Sequence, residues 1–393
     1  GLRAMPGFFG EYMEKQTVSR SKVISFAGAF IAFLIGSGFA TGQEVLQYFT
    51  SYGYLGIAGA MVVFVLFLYV GIDFITVGQE QKFPRSSDIF RYYCGKSLGT
   101  FFDYFSIVFI YMSFVVMIAG AGATINQQYG LSVSVGGILM GVLAAGTVIF
   151  GLGKIVDVIG KIGPAIVVMS IFLGTASILK NPQGLAEANN IIPQLDLMKA
   201  SSNWFFAAGS YVGFCMLWLA SFMAAMGATA NSRMGETKKK KKEAKLGAIY
   251  GATGFSLAVI IVALGLMANI EQVAGTMIPS LYLAANIHPL LATAFSVIIV
   301  AGIYTTAVPL LWSVSSRFLD EKSTKFKILT VVLAIIGVFV GLKVPFNKLV
   351  NVVYVINGYV GILLLAMMFV KTLRRKMEAP KPAQSDLEAD MEI

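Results

Sequence analysis

The chain is dominated by apolar runs too long for the helices of an ordinary soluble core. A run of about 20 apolar residues is long enough to cross a bilayer as a helix. Ten such runs can be laid out, at 23–50, 54–79, 100–128, 131–151, 158–180, 203–230, 245–270, 287–316, 325–343 and 348–372. Several exceed the length a bilayer requires, so tilting, breaks or interfacial extensions are expected. Charged residues make up 13% of the chain and hydrophobic ones 57%. A soluble globule with that balance would expose large apolar patches and self-associate. A soluble enzyme, a disordered chain and a nucleic-acid binder are therefore set aside. The expected class is an all-α membrane protein whose first partner is the lipid bilayer.

The net charge of +10 is informative through its placement. Basic residues cluster at the N-terminus (Arg3, Lys15, Arg20, Lys22), in the 80–99 connection (Lys82, Arg85, Arg91, Lys96) and at Lys154 and Lys161. They recur from Arg233 through Lys238–Lys242 to Lys245, at Arg317, Lys322, Lys325 and Lys327, and in the tail from Lys371 to Lys381. Together these hold 26 of the 30 Lys and Arg residues; the other connections carry only Lys180, Lys199, Lys343 and Lys348. Alternation with every predicted crossing supports ten spans and places both termini in the cytoplasm of a bacterial cell, by the positive-inside rule. The run at Lys238–Lys242 reads as a solvated loop that fixes topology, with an anionic-lipid site as the alternative.

The first 22 residues are polar, include Glu11 and Glu14, and do not read as a cleavable signal peptide. From Ala379 to Ile393 the tail is acidic and contains two prolines, the composition of a disordered segment. Cys94 and Cys215 are too few for a disulfide framework or a metal cluster, and His288, the single histidine, reads as a loop residue at a helix start. No cluster of acids or histidines suggests an embedded enzyme, and no cofactor is expected.

Segment 1 contains Gly36, Gly38 and Gly42 at mid-membrane, with Ser37 and Thr41 between them and Glu44 just beyond. Each glycine weakens a helix by about 1 kcal/mol relative to alanine. Such a cluster either packs helices closely or marks a break. Its density, the interleaved hydroxyls and the nearby Glu44 favour the break. Irregular backbone at that depth is tolerated where protein or a water-filled cavity satisfies it. A broken helix presents free amides that suit a carboxylate and free carbonyls that suit a small cation. Segment 6 carries a weaker version of the signal, Gly209, Ser210 and Gly213 followed by Phe214, Cys215 and Trp218, and a second break is expected there. Segments 1 and 6 each open a set of five, so halves at 23–180 and 203–372 would have opposite topology. Interrupted segments at matching positions of two halves point to a transporter's binding site.

The string Gly36-Ser37-Gly38-Phe39 resembles the first-helix motif of amino acid–polyamine–organocation permeases. Extended to Gly42, Gln43 and Glu44, it is similar to the YkvI-type membrane proteins, classed as amino acid permeases. Segment 8, with Ala301, Gly302, Ile303, Tyr304, Thr305 and Thr306 followed by Arg317 to Glu321, resembles the eighth helix of sodium-coupled relatives. The resemblance implies the LeuT-type fold, a 5+5 inverted repeat with helices 1 and 6 unwound at the substrate. It implies that amides at Ser37, Gly38 and Phe39 bind a substrate carboxylate. It implies a sodium site from Ala32, Ile35, Ala301, Tyr304 and Thr305. Tyr304 departs from the small hydroxyl of the pattern, and Thr306 is the alternative. Some cation-independent relatives replace the ion with a mid-helix lysine in segment 5. Here Lys161 lies near the cytoplasmic mouth and the next basic residue is Lys180, which favours sodium over proton coupling.

Glu44 is the acidic residue nearest the expected break, and an ionisable residue inside a membrane segment is a functional candidate by default. It would bind a substrate amine, carry a proton, or serve as a structural partner in the outer vestibule. Asp73 and Asp103, near cytoplasmic helix ends, are expected in solvated or capping roles. Tyr111 stands where relatives place a tyrosine near the substrate. Phe214, Cys215 and Trp218 would line an apolar pocket. Asn357, beside Gly358, either faces the cavity or bonds between helices. The reading is a secondary transporter of an amino acid or similar small zwitterion or amine, working by alternating access with sodium. A proton-coupled or cation-independent permease using Glu44 is the alternative, and a sensor or assembly protein on a transporter-like scaffold is the rival of another class.

Overall fold

The computed structural model describes residues 18–150, 155–229 and 237–378. The N-terminal segment before residue 18 and the tail from 379, both expected to be cytoplasmic, lie outside these residues. Nine helices among the described residues are long and apolar enough to cross a membrane. The first predicted segment is not one of them, because it is divided into α1 (Arg20–Leu34), α2 (Ser37–Thr41) and α3 (Gln43–Tyr48). There follow α4 (Tyr54–Gln81), α5 (Ile89–Tyr129), α6 (Val133–Phe150) and α7 (Ile155–Lys180). A short α8 (Pro182–Ile191) leads to α9 (Trp204–Thr229) and α10 (Thr237–Ala268). Two more short helices, α11 (Ile270–Val273) and α12 (Pro279–Ile287), precede α13 (Pro289–Phe318) and α14 (Thr324–Lys343). The last segment comprises α15 (Phe346–Leu349), a π-helical turn at Val350–Tyr354 and α16 (Val355–Glu378). Helix α5 bends at Gly95, whose φ of 76° and ψ of −174° leave the helical region.

The break in segment 1 has two parts. Ile35 and Gly36 are extended, with φ/ψ of −82°/105° and −112°/−170°. Gly42 is left-handed at φ 82°, a conformation that costs other residues roughly 1–2 kcal/mol. Thr41 stitches the piece between them, its Oγ1 donating to the Gly38 carbonyl at 3.1 Å and accepting from the Gln43 amide at 3.3 Å.

Segment 6 is a different case, and the second expected break is absent. Helix α9 runs continuously from Trp204 to Thr229. Its glycines serve packing against α16: a Cβ on Gly213 would strike the Gly358 carbonyl, and one on Gly361 would strike the Gly213 carbonyl. Small residues let membrane helices approach to backbone contact. Ser210 joins the same contact, donating to the Val355 carbonyl at 3.4 Å. Because an intact helix satisfies its own amides and carbonyls in lipid, close packing without unwinding is the cheaper solution here.

Three smaller expectations are settled by the packing. Asp103 is buried and meets Arg317 at 3.0 Å, Arg91 at 3.5 Å and Arg85 at 3.6 Å, so it pins α13 to α5 and is not solvated. Asp73 likewise pairs with Arg375 at 2.7 Å and accepts from Tyr93 at 2.6 Å. A carboxylate removed from water is costly unless paired in this way. The lysine run is helical in backbone, since α10 starts at Thr237; the side chains of 237–241, like that of Lys161, are outside the described set. His288 does begin a helix, as the N-cap of α13, with Nδ1 accepting from the Leu290 amide at 3.1 Å.

Candidate functional site

A cavity of about 300 Å³ ends at the break in segment 1. Its walls come from α1 (Ala29, Ala32, Phe33, with Ile35 and Gly36 after it), α7 (Gly163, Ile166), α9 (Trp218, Phe222) and α13 (Gly302, Thr305, Thr306, Pro309, Leu310). Apart from Ile35, Gly36 and Gly302, which sit near mid-span, these residues lie toward the helix ends whose connections are rich in Lys and Arg. Pro309 inside α13 has no amide hydrogen, which leaves the Thr305 carbonyl without its usual helical donor.

Of the residues expected around a cation, Ala32, Ile35, Thr305 and Thr306 line this wall, and Ala301 and Tyr304 do not. Thr306 Oγ1 donates to the Ile35 carbonyl at 3.3 Å and to the Gly302 carbonyl at 3.0 Å, bridging α13 to the end of α1. Thr305 Oγ1 donates to the Gly302 carbonyl at 2.9 Å. Tyr304 is turned away, its Oη 2.6 Å from Thr147 Oγ1 on α6, so Thr306 takes the place suggested for it. Gly302 lines the cavity and Ala301 does not. The helical period of about 100° per residue explains this, since positions 302, 305 and 306 share a face and 304 does not.

On the other side of the break the chain is closed. Glu44 is buried, 1% exposed, and its Oε1 accepts from Tyr211 Oη at 2.6 Å. Its Oε2 lies against Gly38, where a Cβ would collide with it. Among the described residues no basic side chain pairs with it. Around it is a buried aromatic cluster. Tyr48 and Tyr211 have centroids 5.2 Å apart, Tyr211 and Phe214 5.1 Å, and Phe214 stacks on Tyr354 at 4.7 Å. Trp218 packs edge-on to Tyr354 at 5.6 Å and stacks on Phe109 at 5.3 Å. Such pairs are worth roughly 0.5–1.5 kcal/mol each beyond the area they bury. Residues 211, 214, 215 and 218 fall on one face of α9, which is how one helix presents Tyr211, Phe214, Cys215 and Trp218 together.

Other predicted residues lie elsewhere. Tyr111 Oη donates to the Leu333 carbonyl of α14 at 2.9 Å; Phe109, two residues earlier, is the α5 ring that reaches the cluster. Gly209 looks toward Ile362, 3.5 Å from a would-be Cβ, and Gly213 toward Gly358, so neither meets the cavity. Phe39 packs on Phe255 of α10 at 5.1 Å. Ser37 starts α2, and its side chain is outside the described set. Asn357 Nδ2 donates to the Val353 carbonyl of its own helix at 2.5 Å. Among the described residues, Asn357 Oδ1 and Trp218 Nε1 are buried without a hydrogen-bond partner.

Sequence reasoning missed Tyr211, Phe109, Met117 and Tyr354. Tyr211 had a signal, its i, i+4 relation to Cys215. Tyr354 had none, because the π turn that carries it follows from no composition rule. Yet its side chain lies near both glycines of the break: from would-be Cβ atoms, the Tyr354 hydroxyl is 3.9 Å away at Gly36 and the ring edge 3.1 Å away at Gly38.

The chain as a whole is similar to known proteins. No family model matches the chain. It is 21% identical over 361 residues to the uncharacterized membrane protein YkvI of Bacillus subtilis strain 168, covering 91% of this chain and 98% of YkvI. It is 23% identical over 345 residues to the uncharacterized protein YyaD of the same strain, covering 87% and 95%. The inward-facing conformation of Mhp1 superposes with a TM-score of 0.57 at 14% identity, over 87% of this chain and 73% of Mhp1. The fold is the LeuT type. Mhp1 in a closed conformation with bromovinylhydantoin bound, described as a nucleobase-cation-symport-1 family transporter, gives a TM-score of 0.50 at 15% identity, over 86% and 75%. Within the LeuT-type fold, the broken first helix of this chain is the expected feature and the continuous sixth segment is the departure.

Proposed function

We propose that this protein is a secondary transporter that works by alternating access. Its cargo is an amino acid or a similar small zwitterion or amine. The observation that carries the reading is the asymmetry around the break: a cavity lined by Gly36 lies toward the basic-rich helix ends, while buried rings from Tyr48 to Tyr354 pack the other side. A cavity on one side of a central break and a packed plug on the other is the geometry that one half of such a cycle would have. In this reading the halves 23–180 and 203–372 are the inverted repeats, and the cytoplasmic membrane of a bacterium is the location.

Sodium is the proposed coupling ion. The oxygens that fit it are the Ala32 and Ile35 carbonyls and the Thr305 and Thr306 hydroxyls, hard donors of the kind small cations select. In the structure Thr306 spans the junction by a long hydrogen bond, which an ion between α1 and α13 would replace. Ion and cargo would then raise each other's affinity by equal factors. Proton coupling through Glu44 is the second reading, favoured by a buried carboxylate with no basic partner among the described residues. Uptake by reconstituted vesicles under imposed sodium or proton gradients tests both. Sodium-driven accumulation that Thr306→Val abolishes supports the first; accumulation driven by a proton gradient alone, and lost in Glu44→Gln, supports the second. Vesicles that accumulate no amine or amino acid under either gradient would overturn the transport reading.

A further inference from the structure

We infer that Glu44 recognises the positive charge of the cargo, and that the ligand class is an organic ammonium for which a carboxylate is dispensable. This deepens the transport reading and rests on it. The argument starts from charge. A carboxylate inside a membrane span is expensive unless something positive or a proton meets it, and here only the neutral phenol of Tyr211 donates to it among the described residues. The surroundings favour a cation over a second anion. Tyrosine, phenylalanine and tryptophan rings attract ammonium groups through their negative faces, and Tyr354 lies 3.1 Å from the point off Gly38 that Glu44 Oε2 also contacts.

The amides at the start of α2 are the groups that the resemblance would give to a substrate carboxylate. With the Glu44 side chain already against Gly38, a substrate carboxylate there would compete with it for the same space, and with Glu44 ionised it would also meet a like charge. An amine faces no such conflict.

The contacts around the break also bear on access. Gly36 lines the cavity, and Tyr354 reaches both glycines: its hydroxyl lies 3.9 Å from a would-be Cβ on Gly36 and its ring 3.1 Å from one on Gly38, which Glu44 also meets. Tyr354 therefore stands beside both the cavity wall and the carboxylate. That ring is carried by the π turn Val350–Tyr354, a helix irregularity of the kind frequent at functional sites. Swinging it aside would join the 300 Å³ cavity to Glu44.

The test uses the purified full chain in lipid nanodiscs and three probes that share the branched side chain of leucine: leucine itself, isopentylamine, which lacks the carboxylate, and 4-methylpentanoate, which lacks the amine. Thermal stabilisation and competition among the three are measured, on the wild type and on Glu44→Gln. The side-chain amide that Glu44→Gln introduces can still accept from Tyr211, so the variant keeps the fold; Tyr211→Phe, which leaves the carboxylate, is the companion. The inference expects isopentylamine and leucine to stabilise the protein and 4-methylpentanoate not to. It also expects Glu44→Gln to weaken amine binding by at least about tenfold, with a smaller loss for Tyr211→Phe. Binding of 4-methylpentanoate, amine binding unchanged in Glu44→Gln, or no stabilisation by the amine would each overturn it. The transport reading fails separately, on the vesicle experiment, and survives if leucine accumulates while Glu44→Gln binds as the wild type does.

Discussion

Two segments with related sequence signals, the weaker one in segment 6, take opposite courses. Segment 1 and segment 6 both carry glycines and a serine at mid-membrane, yet segment 1 breaks at Ile35–Gly36 and again at Gly42, while α9 passes unbroken. The difference lies in what each glycine faces. Gly213 meets backbone across the helix contact, as Gly361 does from the other side. Gly36 and Gly38 meet side chains: Met117, Trp218, Tyr354 and Glu44. At Gly213 and Gly361 the glycines let two intact helices touch; at Gly36 and Gly38 they leave room that large side chains fill. Glycine count is therefore a poor guide to unwinding, and the partner surface decides.

The largest effect that would break this comparison is at the helix contact. Gly213→Val puts a branched side chain into the Gly358 carbonyl, and overpacking should cost about 3 kcal/mol or more. A strong fall in thermal unfolding temperature is expected; an unchanged one would mean that segment 6 is not held against α16 as described. Gly42→Ala comes next. Its φ of 82° and the Ser280 amide 3.0 Å from a would-be Cβ predict a loss of roughly 1–2 kcal/mol in denaturation experiments.

Gly36→Ala should separate stability from function. Its φ of −112° suits any residue, and the neighbour at 3.2 Å is the flexible end of Met117, so stability should move by less than about 1 kcal/mol. Uptake should nevertheless fall, because the methyl narrows the passage beneath Tyr354; full activity would place the cargo path elsewhere. The smallest effect is expected at Gly209. Alanine there would sit 3.5 Å from Ile362, an ordinary contact, and gain up to about 1 kcal/mol of helix propensity. A clear destabilisation by Gly209→Ala would reopen the case for an interrupted segment 6.

Much of the architecture was legible because its physics is local to the chain. Apolar length gives the spans, and the predicted segments agree with α4, α6, α7, α9 and α14 to within a few residues. The break in segment 1 was legible for a related reason: Gly42 needs a conformation that only glycine adopts cheaply, and that requirement is written at its own position. The lining of the cavity was half legible. Helical spacing puts Thr305 and Thr306 on the cavity face, but whether Tyr304 joins them depends on Thr147 in another helix.

What the sequence by itself determined is a many-span helical membrane protein with its first span broken near Glu44, because hydropathy and glycine conformation are properties of short stretches. Tertiary structure alone decided that Asp103 is an ion-pair hub, that Phe109 and not Tyr111 reaches the aromatic cluster, and that segment 6 stays whole. Each of those depends on which surface lies opposite, and in lipid, where helix association has little hydrophobic drive, the fit of that opposite surface determines whether a glycine unwinds or packs.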